Sequence, residues 1–378
     1  MIAIVTPNPD TPAETFVRQH IRLIQPGKTV VVYWEGNGNS LDGISSNRIP
    51  ARSNSVLGKL VSLRSYMLWG YPGLLVGHQG KQLEKFFKHH QVEAVLAEFG
   101  PTGCAVMRVC DRLNLPLFVN FHGHDATVMA KRKLIRRAYR FLNKRATGFI
   151  CGSNHFKQIL IDLNISANKI QVIPCGIEME EFGPLEQGKD DGLVLAVGRF
   201  VEKKAPHLTI QAFAKVVEQC PEARLEMIGG GPLLEECKIL IDRLDLTQQV
   251  ILHGVKDHQF VKSKMKQASV FVQHSVIASN GDMESQGVSL LEAMASSTPQ
   301  VVTDHNGFSE TVLENETGFL VPEGDTNQMA NRIIELLSDP IKRSRFGIRS
   351  QEIAKSKFES RSMAEKIRNL MLTSSRVI

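Results

Sequence analysis

Two carboxylates and two cations, set among glycines at the expected ends of strands, are the residues of this sequence best suited to chemistry. Glu284 and Glu292 lie in Asn280-Gly281-Asp282-Met283-Glu284-Ser285-Gln286-Gly287-Val288-Ser289-Leu290-Leu291-Glu292-Ala293-Met294-Ala295, which opens polar and then takes on helical periodicity. Gly287, Val288 and Ser289 are therefore expected at a helix N-terminus, where unpaired amides attract phosphate or sugar oxygens. The two glutamates are eight positions apart. At 1.5 Å per residue even a continuous helix would separate them by roughly 12 Å, the scale of a nucleotide joined to a sugar rather than of one bond under attack. They read as clamps on two hydroxylated rings, or else as two solvated glutamates around an amphipathic helix.

Arg199 and Lys204 follow the apolar run 193–197 in Gly198-Arg199-Phe200-Val201-Glu202-Lys203-Lys204-Ala205-Pro206, with Pro206 suited to a helix start. In a strand-to-helix turn the two cations can share a pyrophosphate, the Arg as a fork and the Lys as a point charge; alone, they could equally be surface charges. Gly229-Gly230-Gly231-Pro232 after the run 225–228 allows close approach of backbone to ligand, or simply a tight turn. Gly254-Val255-Lys256-Asp257 after 250–253 offers backbone groups, those of Val255 among them, that could read a base edge.

The first half carries its own candidates. The run 117–121 ends in His122-Gly123-His124-Asp125-Ala126, whose polar groups suit a ligand-facing turn, a helix cap, or metal ligation by His122, His124 and Asp125, although no other ligand cluster accompanies them. Glu98-Phe99-Gly100-Pro101-Thr102 ends another run, and its carboxylate can face an acceptor or serve an N-cap loop. The stretch 131–145 begins at Lys131, ends at Arg145 and reads KRKLIRRAYRFLNKR, with eight cations and no acid. Leu134, Ile135, Ala138, Tyr139 and Leu142 recur there at helical spacing, so one face can dock on a sheet while the other meets phosphate or stays solvated. Near an anionic leaflet each cation adds about 1 kcal/mol. A second apolar stretch, 62–72, includes Leu63, Tyr66, Met67, Leu68 and Trp69, for contact with a lipid-linked acceptor or for burial.

The elements that must position these residues alternate: short β-branched runs between helical stretches, the pattern of parallel sheets covered by crossover helices. In the first half the runs are 2–5, 30–34, 94–98, 117–121, 148–151 and 171–173; in the second, 193–197, 225–228, 250–253, 270–273, 300–303 and 318–321. For 378 residues, two doubly wound α/β units in tandem fit better than one wide sheet. The periodicity breaks near 174–192, where Pro174-Cys175-Gly176-Ile177 precedes an acidic stretch, Gly183-Pro184 and Gly188-Lys189-Asp190-Asp191-Gly192. The expected domains are 1–177 and 178–357, facing a cleft, with a helix over 358–378 returning to the first.

Composition bounds the rest. With 42% hydrophobic and 22% charged residues, the chain is neither disordered nor fibrous. The net charge of +6 permits phosphate or anionic lipid without requiring either, and aromatics at 6% with no reading motif argue against nucleic acid. Six cysteines without a C-x-x-C pair read as reduced thiols, which points to the cytoplasm. Met1 is followed by neither a basic segment nor a long apolar segment of signal-peptide type, and no apolar run approaches the length of a spanning helix, so any membrane contact is expected to be peripheral.

Taken together, the four turns of the second half resemble the C-terminal domain of glycosyltransferase family four, of exopolysaccharide and colanic-acid type, from Pro174-Cys175-Gly176-Ile177 through Thr317-Gly318-Phe319-Leu320-Val321-Pro322. The resemblance implies the GT-B fold and retaining transfer of a sugar from a nucleotide donor. It implies that Arg199 and Lys204 hold the diphosphate, that Glu284 binds hydroxyls of the donor sugar helped by amides near Gly287 and Val288, and that Glu292 binds the ribose. It gives His122 a contact near the anomeric centre. Ala205 and Cys175 stand where the family more often has Gly and Asn. Pro12-Ala13-Glu14-Thr15-Phe16 resembles the family's Ser-Glu-Thr-Phe turn with Ala13 replacing Ser, and the Gly-Gly loop of many relatives is missing there.

The expected enzyme is a metal-independent hexosyltransferase with no cofactor. It moves a hexose, glucose from UDP-glucose as the working choice, to a saccharide or polyprenyl-diphosphate-linked acceptor. His122, Glu284, Arg199 and Lys204 are its catalytic candidates; Gly230 and Val255 join the donor side, and Glu14, Glu98, His124 and Asp125 are acceptor-side candidates. A retaining hydrolase would place two carboxylates about 5 Å apart, and no such pair is evident. A nucleotide-sugar 2-epimerase on the same fold and a non-catalytic nucleotide-sugar sensor are the alternatives.

Overall fold

Nearly every strand-forming run is apolar without alternation, as expected of strands covered on both faces. The computed structural model describes residues 1–11, 14–50, 56–183 and 189–374. Pro12 and Ala13 of the first turn, Pro184 and Gly188 of the expected boundary and the last residues of the C-terminal segment lie outside them. Among the described residues thirteen strands form two all-parallel sheets: β1 Ile2–Thr6, β2 Thr29–Tyr33, β3 Ser46–Arg48, β4 Ala94–Glu98, β5 Leu117–Asn120, β6 Gly148–Cys151 and β7 Ile170–Val172 in one, and β8 Asp190–Val197, β9 Arg224–Ile228, β10 Val250–Leu252, β11 Ala268–Gln273, β12 Gln300–Thr303 and β13 Gly318–Val321 in the other. β1, β2, β4, β5, β6, β11 and β12 are buried along their whole length.

The spatial orders are β3-β2-β1-β4-β5-β6-β7 and β10-β9-β8-β11-β12-β13, so each sheet reverses direction once, between β1 and β4 and between β8 and β11. The first sheet has one strand more than expected. β3 is a three-residue edge, Ser-Asn-Arg, with two of its residues exposed, and neither apolar pattern nor β-branching marks it. The chain divides into two units, Met1–Gly176 with Ser360–Ile378, and Ile177–Glu359. In the first unit the helix Ser360–Ser374 packs on the helix Thr15–Leu23 and on β4. Its core joins Val5, Val32, Val95 and Val119 to Phe87, Phe121, Tyr139 and Phe149. The core of the second joins Val194, Val270 and Val301 to Phe213, Phe319 and Phe346.

The strand ends of the second unit are tied to one another through backbone. Gly198 N–H donates to Ile228 O (3.0 Å), Phe200 N–H to Gly230 O (2.9 Å) and Gly229 N–H to Gly254 O (2.9 Å). The glycines after β9 are therefore needed for backbone-to-backbone approach. Gly229 has φ +145, and a Cβ there would lie 1.9 Å from the Gly198 carbonyl oxygen, whereas Gly254 (φ +67) faces open space. Gly229→Ala is expected to lower unfolding stability by about 2–4 kcal/mol and Gly254→Ala by about 1–2 kcal/mol, the left-handed backbone penalty alone. Urea denaturation of the two variants measures the difference, and equal losses would refute the packing account.

Candidate functional site

In the second unit, ligands of such a sheet are expected beyond the carboxyl ends of β8 and β11, where the order reverses. β8 runs out into Gly198-Arg199 and a 3-10 turn over Glu202–Lys204. β11 runs out into the loop carrying Glu284, and the helix Val288–Ala295 starts after Gly287 (φ +78). The two connections are joined: Val276 N–H donates to Lys203 O (3.0 Å), and the Ser279 amide and hydroxyl both donate to the Glu202 carboxylate. The chain then enters the helix Pro206–Gln219 through Ala205, which is left-handed at φ 36, ψ 54; the requirement explains a preference for Gly at this position.

Lys204 Nζ lies 3.1 Å from Glu284 Oε2, and Lys203 Nζ lies 3.2 Å from both Glu284 Oε1 and Asp282 Oδ1. Burial alone would raise the Glu284 carboxyl, but the Lys204 and Lys203 ammonium groups override it and hold it at about 2. Burial also pushes the Lys204 ammonium down, against the pull of Glu284. Glu284 is held by its backbone as well: its N–H donates to His305 Nε2 (3.1 Å), and Asn306 Nδ2 donates to its carbonyl (2.8 Å). Because His305 Nε2 accepts, its ring proton sits on Nδ1, which faces Glu323 Oε1 at 2.5 Å. Arg199 is exposed beside this cluster in sequence, and Val255 is 77% exposed. Gly230 adjoins Val255, since a Cβ on the glycine would come within 2.8 Å of Val255 Cγ2.

Glu292 is in the helix that follows Gly287, buried, with no hydrogen-bond partner for its carboxyl among the described residues. Burial pushes the carboxyl up to about 8, against the Lys262 and Lys204 cations and with the help of the Glu181 charge. Such a group is protonated at neutral pH and can donate to, as well as accept from, a ligand hydroxyl.

The first unit holds a separate cluster at the ends of β4 and β5. His122 Nε2 lies 2.9 Å from Glu98 Oε2, His20 Nδ1 lies 2.6 Å from Glu98 Oε1, and Asn120 Nδ2 donates to Oε2 at 3.2 Å. The rings of Phe16 and Phe99 flank His122, with centroids 4.1 and 4.8 Å away. Asp125 accepts from His122 N–H (2.9 Å) and Gly100 N–H (2.8 Å), and its own carbonyl accepts from Tyr139 OH (2.8 Å). Two acceptor-side expectations are corrected here. Glu98 is completely enclosed with both oxygens engaged, and Asp125 is buried as a tie between two strand ends, so neither carboxylate is open to an acceptor. His124 is exposed, and Glu14 is half-buried at the N-cap of Thr15–Leu23. Among the described residues no group of three or more His, Cys, Asp or Glu could hold a metal ion.

Sequence reading passed over His20, Lys203, His305 and Asn306. Two of them leave a trace. His20 shares the buried helical face of Phe16, Val17 and Ile21, an unusual place for a histidine, and Lys203 stands next to Lys204 in the same turn. His305 and Asn306 leave none, since they reach Glu284 from the end of a different strand.

Comparison with known proteins agrees with this architecture. The model of Glycosyl transferases group 1 matches residues 178–353, and that of Glycosyltransferase Family 4 matches 13–181. The chain is 30% identical to the amylovoran biosynthesis glycosyltransferase AmsK of Erwinia amylovora over 70% of its own length and 69% of the relative's. It is also 30% identical to WcaL of Escherichia coli (strain K12), named for a glycosyltransferase role in colanic acid biosynthesis, over 64% of this chain; the match spans 61% of that relative's length. An Escherichia coli UDP-Gal:alpha-D-GlcNAc-diphosphoundecaprenol alpha-1,3-galactosyltransferase is 26% identical over 68% of this chain and 70% of its own. HepE of Anabaena, solved in complex with UDP, superposes with a TM-score of 0.79 at 18% identity, covering 99% of this chain and 100% of that one. The chain belongs to the family 4, group 1 glycosyltransferases, and its two Rossmann-like sheets are those of the GT-B fold.

The two buried glutamates of the second unit should respond to pH with opposite signs. Glu284 has a depressed folded-state pKa, so its stabilising contribution is present above about 4.5 and fades as pH falls toward about 2; the deficit of Glu284→Gln should shrink over that window. Glu292 has a raised one, so the wild type loses stability as pH climbs from about 4.5 to 8, and Glu292→Gln should gain on it there. Unfolding midpoints of both variants and wild type between pH 2 and 9 read this, and curves that stay parallel would contradict both assignments.

Proposed function

We propose that the protein transfers a hexosyl group from a nucleoside diphosphate sugar, with UDP-glucose as the first choice, to a saccharide carried on a polyprenyl diphosphate, with retention of configuration, in exopolysaccharide synthesis. The observation that carries the reading is the Lys203–Glu284–Lys204 cluster at the β8/β11 reversal, with Arg199 leaving the same strand end and the helix Val288–Ala295 opening after Gly287. The chemistry needs charge stabilised on a departing diphosphate, and Arg199, Lys204 and the helix-end amides supply it. Glu284, kept ionised by the two lysines, accepts hydroxyls of the donor sugar, while Glu292 takes the ribose. In the transfer the bond from the anomeric carbon to the diphosphate oxygen breaks. An acceptor oxygen bonds to the same face, and its proton passes to the departing phosphate. Arg199, Lys204 and the helix-end amides answer the charge of the diphosphate, so the reading calls on no metal ion.

UDP in the HepE complex and the two polysaccharide-synthesis relatives support the nucleotide and the pathway class, and the diphosphoundecaprenol substrate of the galactosyltransferase supports a lipid-carried acceptor. The first unit supplies a surface for such an acceptor. In the helix Lys133–Arg145, Ile135, Ala138, Tyr139 and Leu142 are buried while Lys133, Arg136, Arg140 and Lys144 are exposed. Arg137 and Arg145 turn back onto Tyr66 and Trp69 of the helix Val56–Trp69, which exposes Leu60, Leu63, Met67 and Leu68. Cations beside exposed apolar side chains suit peripheral contact with an anionic, cytoplasmic leaflet. No helix among the described residues is long and apolar enough to cross a membrane.

Thermal denaturation against UDP, GDP, ADP and their sugars tests the donor: UDP and UDP-glucose should raise the midpoint, and a chain indifferent to all of them is not a transferase of this kind. Arg199→Ala, at an exposed position, should lower kcat for UDP release by about 100-fold or more while leaving the fold intact by circular dichroism. Reversing Arg136, Arg140 and Lys144 to Glu should weaken co-sedimentation with phosphatidylglycerol vesicles by at least about 100-fold, and unchanged binding would remove the membrane from the proposal.

A further inference from the structure

Glu98 is the fully enclosed centre of a three-member row, His20–Glu98–His122, in the first unit. Burial alone would raise its carboxyl, but His20 and His122 outweigh it and bring the group down to about 2. An ionised carboxylate only accepts hydrogen bonds. Both ring nitrogens that face it, His20 Nδ1 and His122 Nε2, must therefore carry hydrogen. In neutral His122 this leaves Nδ1 with a free lone pair, and Nδ1 has no protein hydrogen-bond partner among the described residues. The ring cannot easily turn to exchange the two nitrogens. Phe16 and Phe99 flank it, and Asp125 holds its backbone N–H.

We infer that His20 and Glu98 are positioning residues that lock His122 in the Nε2–H tautomer, so that Nδ1 meets the substrate as a hydrogen-bond acceptor and selects a sugar with a free hydroxyl at the position it touches. The selectivity rests on the transferase reading above; the tautomer does not. Asn120 adds a further donor to Glu98 Oε2, so the oxygen that faces His122 already accepts two hydrogen bonds and is fixed in direction by both. His20 enters from the buried face of the helix Thr15–Leu23 and occupies the other carboxylate oxygen, which keeps the carboxyl from rotating its charge away from His122.

Full-length protein labelled with 15N-histidine, with long-range 1H–15N correlations assigned by His122→Gln, tests the tautomer. The wild type should show neutral His122 protonated at Nε2, and Glu98→Gln, whose amide offers one acceptor atom instead of two, should show a mixture. UDP release from UDP-glucose and its monodeoxy analogues tests the consequence. His20→Ala should lower kcat by about 10-fold with KM within about twofold, and His20→Asn, which can still donate to Glu98, should recover most of it. One monodeoxy donor should lose at least about 10-fold against wild type, a penalty that Glu98→Gln narrows. An Nδ1–H pattern in the wild type, or a His20→Ala variant with unchanged kcat and spectrum, overturns the inference. If no nucleoside diphosphate sugar is turned over, the transferase reading falls together with the selectivity, while the spectrum still decides the tautomer.

Discussion

A carboxylate taken out of water is unfavourable by several kcal/mol unless cations and donors face it. That constraint organises the second unit. Glu284 is tolerated where it is because Lys203 and Lys204 each face one of its oxygens, and the lysines are themselves acceptable because the carboxylate is there. Neither side can be stable without the other, so the connection after β8 and the loop after β11 are pulled into one structure. The arrangement has a chemical consequence. Under the transferase function proposed above, the cations of this cluster answer a diphosphate and its carboxylate answers sugar hydroxyls.

The first unit meets the same constraint by different means. Glu98 is enclosed more completely than Glu284, and its counter-groups are two imidazoles and an amide rather than lysines. Imidazoles bring direction with them, since each ring nitrogen is either a donor or an acceptor. Where a lysine pair supplies charge, this row supplies orientation. The strained backbone of Phe99 (φ +73) lies in this row between Glu98 and the helix Gly100–Leu113, where it places a ring against His122. Strain of this kind is found where a side chain must be aimed, at a cost of roughly 1–3 kcal/mol.

Much of the architecture was legible beforehand because parallel strands are buried on both faces and so read as unbroken apolar runs. The strand missed, β3, is an edge of three polar residues for which that reason does not hold. Arg199, Lys204, Glu284 and His122 could be singled out because each sits in the turn that directly follows a strand, where a sheet of this class presents its ligand groups. Glu98 is the last residue of β4 and Asp125 sits in the turn after β5, yet the structure encloses both. A strand-end position says that a residue is at the correct end of the sheet, not whether its side chain points outward or under its neighbour.

The amino-acid order alone determined the alternation of elements, the two sheets and the turns that carry the polar residues, since periodicity, glycine placement and chain-length limits are local properties. Partnership was decided only in three dimensions. His20 and Glu98 are separated by 78 positions, and Glu284 is held by His305 from another strand end. Whether a glutamate is ionised like Glu284 or neutral like Glu292 depends on which cations lie opposite it and how much water is excluded, and both are fixed by packing between segments that sequence spacing does not relate.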